Sequence, residues 1–344
     1  MTILKKNISI LLFFSVSLFG LIDDLHSQLL GAGYQTVIKS EYQYSDYLKY
    51  TYPDPILYEY PDVPYSQPLP YIFSFPEHRF LTKITQYFGF DTNLGLRYQF
   101  SQLDKNNQQY IYYSRLTHEL SDLYSIMGTY QFMEFKNTAD SDKNYSGHMF
   151  EVGGKFNFAG AVHIEPSYGY YTSSYVSPEA KKGGAHSILL LLRQAFSSTT
   201  ALQVKYNYFY VDYTTKLNKR QLFYANTLTL WLSQYLPTET AFHLSTRFYW
   251  NDEKTKSISP SIEIIQYINW KTVLQFSYRY YYNKPQSEAF LERIAGDSFS
   301  NQAYSAILDY SFSANTKILL KYRFYISDQN IKMNTYVIGM EHIL

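Results

Sequence analysis

Three arginines, Arg247, Arg279 and Arg323, each fall seven residues after a threonine that closes a short polar turn: Thr240, Thr272 and Thr316. Guanidinium groups repeated at one spacing suit anion recognition, because each offers paired donors in one plane and stays charged at ordinary pH. Other basic residues, Arg97, Lys205 and Lys321 among them, recur in the same alternating way, with Glu165 and Glu263 on the same phase. Eight histidines raise the question of catalysis. A nucleophilic site needs Ser, His and a carboxylate or amide brought together in space, and no segment carries such a pattern. His163 and His243 share the phase of the arginines, whereas His118, His148, His186 and His342 take the opposite phase near segment ends. None has metal-site spacing, so neither a catalytic set, a metal nor a cofactor is expected.

The elements that place these residues are strands. In KILLKYRFYI, Lys317 to Ile326, alternate positions separate Ile318, Leu320, Tyr322, Phe324 and Ile326 from Lys317, Leu319, Lys321, Arg323 and Tyr325. That is the two-residue period of a β-strand with one apolar and one wet face. The same unit recurs in SSTTALQVKYNYFY from Ser197, PTETAFHLSTRFYW from Pro237 and NWKTVLQFSYRYYY from Asn269. Weaker copies turn at Asp91, Ser121 and Ala159. Seven hairpins and the terminal MNTYVIGMEHIL give fifteen strands; an even closed sheet recruits YQTVIKSEYQY, from Tyr34, as the first of sixteen. Fourteen is the alternative count.

Composition points the same way. Of 344 residues 39 are Tyr and 24 Phe, more rings than a soluble core uses, whereas a water–lipid interface suits a ring with one polar end. The predicted apolar face carries Ile84, Phe88, Phe90, Leu96, Tyr98, Phe150, Val152, Leu190, Leu230, Phe276 and Ile338. Twelve basic residues take the other phase: Lys39, Lys83, Arg97, Arg115, Lys155, Arg193, Lys205, Arg247, Arg279, Lys317, Lys321 and Arg323. Seven acidic residues join them: Glu41, Glu119, Glu151, Glu165, Glu263, Asp309 and Glu341. A soluble sandwich would bury that charged face as its core; a wall with lipid outside and water inside requires it.

Lys5 and Lys6, the mostly apolar run from Ile8 to Ile22 and the polar DDLHSQ read as an export signal, residues 1–27, cut after Ser27. Residues 28–344 then form one barrel domain. The absence of cysteine excludes lipoprotein acylation, covalent c-type haem, Cys-ligated iron–sulfur clusters and disulfides. After the signal no apolar run is long enough for a membrane helix, and a net charge of +1 offers nucleic acid no basic field. One set of connections is short; the other is longer and polar. Its longest member, residues 51–78, contains Pro53, Pro55, Pro61, Pro64, Pro68, Pro70 and Pro76, which forbid sheet pairing and favour extended chain that caps or narrows the mouth.

With signal, hairpin repeat and alternating last strand, the mature chain resembles the bacterial outer-membrane β-barrels of porin-like class. The resemblance is architectural: no porin family's constriction-loop signature is present, and the chain ends in Leu344 where such proteins often end in an aromatic residue. It implies an all-β, antiparallel up-and-down barrel in the outer membrane, with short periplasmic turns, longer external loops and both termini in the periplasm. It also implies lipid around the wall, small hydrophilic solutes or ions as cargo, and homo-oligomers as a common state. Arg97, Lys205, Arg247, Arg279, Lys321, Arg323, Glu165 and Glu263 are the expected selectivity residues, with a mild anion preference. Two other readings are a partner-bound or secretion-associated barrel and an outer-membrane hydrolase.

Overall fold

The computed structural model describes residues 34–47, 77–89, 91–103, 105–141, 144–158, 161–175, 183–214, 220–252, 256–284, 299–328 and 332–344. The export signal and most of the proline-rich connection lie outside these residues. Sixteen strands follow in chain order: β1 Tyr34–Tyr47, β2 Glu77–Phe88, β3 Thr92–Gln102, β4 Asn107–Ser121, β5 Tyr124–Asn137, β6 Tyr145–Phe158, β7 Val162–Tyr175 and β8 Gly183–Ala195. The second half comprises β9 Thr200–Thr214, β10 Arg220–Leu236, β11 Thr240–Asn251, β12 Lys256–Asn269, β13 Thr272–Lys284, β14 Phe299–Ser311, β15 Thr316–Ser327 and β16 Lys332–Ile343. Each pairs antiparallel with its chain neighbours, and β1 closes the ring on β16, with Lys39 opposite Glu341. Closure leaves no sheet edge, which a wall in hydrocarbon needs. The expected sixteen-stranded barrel is therefore the fold. Its second strand begins at Glu77, so Glu77 and His78, read from sequence as the end of the long connection, belong to the wall.

Alternation fixes two faces. Outward lie Leu96, Ile126, Val152, Leu190, Leu230, Leu244, Ile262, Phe276 and Leu320, all exposed. An exposed aliphatic band of this extent fits lipid rather than water. On the side of the long connections it is bordered by rings that meet at a tilt across strands, at centroid separations near 5 Å: Tyr98 with Tyr112, Tyr130 with Phe150, Tyr210 with Tyr224, Tyr278 with Tyr304, and Tyr322 with Tyr336. At the short-turn side Tyr124, Phe158, Phe196, Trp270 and Phe312 form a second, looser belt. Two aromatic girdles around an apolar band are the mark of a transmembrane barrel. Along β1 the pattern is interrupted, for the outward Ile38 and Tyr42 are buried.

The threonines of the hairpin repeat are rim fasteners. Thr200 and Thr240 each donate to a neighbouring-strand glutamine, Gln234 and Gln266, at 2.7 Å. Thr92 and Thr316 reach His118 and His342 at 2.8 and 2.9 Å. Each bond satisfies a polar side chain where the wall leaves the apolar band, and each joins two strands at the start of a hairpin.

The register also sets the tilt. Thr240 pairs with Gln266, and Gln266 with Leu274, two residues inside Thr272. A step of two residues for every second strand corresponds to about 7 Å along the strands per 10 Å around the wall, a tilt of roughly 35°. Two prolines lie inside strands. Pro166 on β7 keeps its pairing with Leu190 but has none with β6, and Pro260 on β12 pairs with Thr246 but not with β13. Each removes one donor and opens the ladder on one side only.

Candidate functional site

The inner wall is where charge collects, and the register places every predicted selectivity residue on it. Arg97 on β3 faces Lys83 and Tyr113, its guanidinium 4.9 Å from the Tyr113 ring centroid. Lys205 on β9 faces Leu191 and Thr229. Arg247 on β11 lies between Thr229 and Ser259. Arg279 on β13 lies between Ser261 and Ala303, and Arg323 on β15 between Ser305 and Thr335. Lys321 faces Ile307 and Val337, and Glu165 on β7 faces Leu191. Glu263 on β12 faces His243 and accepts a short hydrogen bond from the Gln275 amide.

Arg247, Arg279 and Arg323 share one depth. From Ser259 to Ser261, and from Ala303 to Ser305, the facing position advances by the two residues that the tilt demands. Three guanidiniums on alternate strands at one level form an arc of positive charge around part of the lumen. Toward the short-turn rim Lys39 pairs with Glu41 at 2.8 Å and Lys317 with Glu341 at 3.8 Å. The first pair lies within β1 and the second joins β15 to β16, one on each side of the seam where β1 meets β16.

A feature that sequence reading passed over is the unequal filling of the lumen. On β3 to β6, toward the long connections, the inward Gln99, Ile111, Met133, Phe135, Tyr145 and Met149 are buried, Phe135 at 2% exposure. Leu103, just past β3, packs with four of them as an apolar cluster. The arc continues around the closed ring through Glu77, Met333, Val337 and Tyr325, the last at 1%. Glu77, itself buried, and the partly buried Arg79 form an ion pair there at 2.9 Å. On the opposite arc the inward Trp231 of β10 is 37% exposed. A hint was legible in the inward Ile, Met and Phe positions of β4 and β5, which depart from the charged pattern elsewhere.

The histidines are placed in both girdles and the lumen. Outward, Tyr42, Tyr130 and Tyr168 hydroxyls meet Nδ1 of His78, His148 and His186 at 2.7, 3.0 and 2.6 Å. Inward, His163 meets Asn157 at 2.6 Å and His243 meets the Ser233 hydroxyl at 2.7 Å. Ser233, His243 and Glu263 stand in one cross-strand row. The Glu263 carboxylate is engaged by Gln275 rather than by the imidazole, so the row does not form the relay that nucleophilic catalysis requires. Among the described residues no cluster of three metal-ligating side chains occurs.

No protein-family model matches the chain, and no curated protein sequence matches it. Solved structures do. A bacterial polysaccharide outer membrane secretin aligns over 89% of this chain and 97% of its own, with a TM-score of 0.55 at 10% identity. The fold is that of the bacterial outer-membrane β-barrels. CdiB from Acinetobacter baumannii aligns over 89% of this barrel and 60% of its own chain, with a TM-score of 0.59 at 10% identity. OprD from Pseudomonas aeruginosa covers 91% and 94%, with a TM-score of 0.50 at 8% identity. Identities this low speak for the shared barrel, and the inner wall must carry any argument about cargo.

Proposed function

We propose that the chain is a diffusion channel of the bacterial outer membrane that passes small hydrophilic solutes and mildly prefers anions. The observation that carries this reading is the closed sixteen-stranded wall, whose described strands add the Arg79–Glu77 pair to the twelve basic and seven acidic residues read from sequence, thirteen and eight on the inner phase. Barrels of sixteen strands leave an aqueous interior, whereas eight-stranded ones fill theirs with side chains. Selectivity is assigned to the arc of Arg247, Arg279 and Arg323, which sets three permanent positive charges at one depth of the inner wall.

Purified protein in a planar bilayer should give discrete conductance steps, with a reversal potential under a salt gradient that favours the anion. The double variant Arg279→Glu with Arg323→Glu should fold normally and shift that potential several-fold toward cations. Absence of steps from folded protein would overturn the channel. An unchanged potential in the double variant would assign these arginines to wall pairing instead.

The packed arc and the likeness to a polysaccharide outer membrane secretin favour a second reading, a barrel that serves a secretion machine. Capture of a periplasmic partner in stoichiometric amount, together with absent conductance for the barrel alone, would select it.

A further inference from the structure

Two cross-strand rows on β9, β10 and β11 build a patch that joins Arg247 of the selectivity arc to Trp231, an indole the channel reading does not use. In one row Lys205 and Arg247 flank Thr229, and in the next Gln203 and Ser245 flank Trp231. Neighbouring strands lie about 4.8 Å apart, so the backbone positions of the two basic residues stand roughly 10 Å from each other across the threonine. The indole lies one inward position below, 37% exposed and opposite the packed arc. Arg247 Nε is buried without a hydrogen-bond partner among the described residues, an unmet donor beside an open face. Ser261, bonded to Ser245 at 2.6 Å, and Gln203, which accepts from Arg193 at 2.9 Å, extend the polar border.

Each part narrows the ligand. A flat, accessible indole stacks on a ring. The flanking Lys205 and Arg247 call for an anionic group on that ring. Thr229, with the hydrogen-bonding capacity that Ser245 and Gln203 keep beyond their bonds to Ser261 and Arg193, surrounds the indole with groups that pair with ligand hydroxyls, which an aromatic acid lacks. We infer that this face of β9 to β11 is a binding subsite for an acidic sugar, stacked on Trp231 with its carboxylate toward Arg247.

The inference rests on the lumen being reachable by solute, and its test separates the two ideas. The chain has three tryptophans, so Trp250→Phe with Trp270→Phe leaves Trp231 as the sole indole reporter in detergent-folded protein. Glucuronate should change its fluorescence saturably, with glucose and benzoate each roughly tenfold weaker. Arg247→Gln in that background should weaken glucuronate by a similar factor while circular dichroism stays constant. In bilayers glucuronate should interrupt the wild-type current and leave that of Trp231→Ala uninterrupted. No saturable response, an equal response to benzoate, or indifference to Arg247→Gln would overturn the subsite. Saturable fluorescence without conductance would retain the subsite and overturn the channel.

Discussion

Gly153 shows how tightly one residue can be fixed in a wall that looks repetitive. A Cβ at this inward position would stand 2.5 Å from Met127 Cε, and 2.9 Å from both the Pro166 carbonyl oxygen and Ser167 Cβ. The methionine can move; the backbone carbonyl beside the Pro166 ladder gap cannot. Gly153→Ala should therefore cost about 1 to 3 kcal/mol, read as a lower midpoint in denaturant-induced unfolding from vesicles. The alternating pattern assigned Gly153 to the inner phase, but nothing in the local sequence revealed the approach of β7. Arg247 is the opposite case. Its phase, its spacing from Thr240 and its depth were all legible, because they follow from a two-residue period and a repeated turn. The unmet Nε donor and its nearness to Trp231 were not legible, because cross-strand rows depend on register and register depends on how the ring closes.

At the scale of strands and turns, the repeat explains itself once the rim bonds are known. Turn threonines recur because their hydroxyls fasten neighbouring strands, as Thr240 does with Gln266 at 2.7 Å. Between Pro237 and Thr240 the turn places Glu239 at φ 57°, left-handed backbone that a side chain resists. Glu239→Gly should stabilise the barrel by roughly 1 kcal/mol, seen as a higher unfolding midpoint with unchanged conductance. The outward phase admits an independent check. Leu230 belongs to the aliphatic band of β10, and Leu230→Arg should cost about 2 to 4 kcal/mol if it sits near the bilayer midplane. Thr227→Arg, three residues away on the inner phase, should cost far less. Equal costs would contradict the assignment of faces. The start of β2 escaped the sequence reading because the proline-rich run continues to Pro76 and masks the alternation of Glu77, Arg79 and Leu81.

For the molecule as a whole, sixteen strands, antiparallel order and the side of the short turns were readable from local pattern. The uneven interior was not, since burial of Phe135 and Tyr325 reflects what lies across the lumen rather than what lies along a strand. The water path should accordingly hug the arc from β8 to β13. The chain contains no cysteine, so single introduced thiols report directly on that path. In single-Cys variants, Asn207→Cys and Tyr281→Cys should react quickly with a charged, membrane-impermeant thiol reagent and lose current. Ile111→Cys and Val337→Cys should react at least several-fold more slowly. Similar rates on both arcs would mean that water fills the lumen evenly.

The seam between β1 and β16 has a consequence for when the protein becomes a barrel. Every other pairing joins strands consecutive in the chain, and each hairpin forms from nearby residues. Bringing Lys39 to Glu341 at the outset would cost roughly 3 kcal/mol more loop entropy than closing a hairpin. Hairpins therefore zip first and the ends meet last. Until they do, two unpaired edges await any other strand, and the lifetime of that open sheet decides between insertion and aggregation.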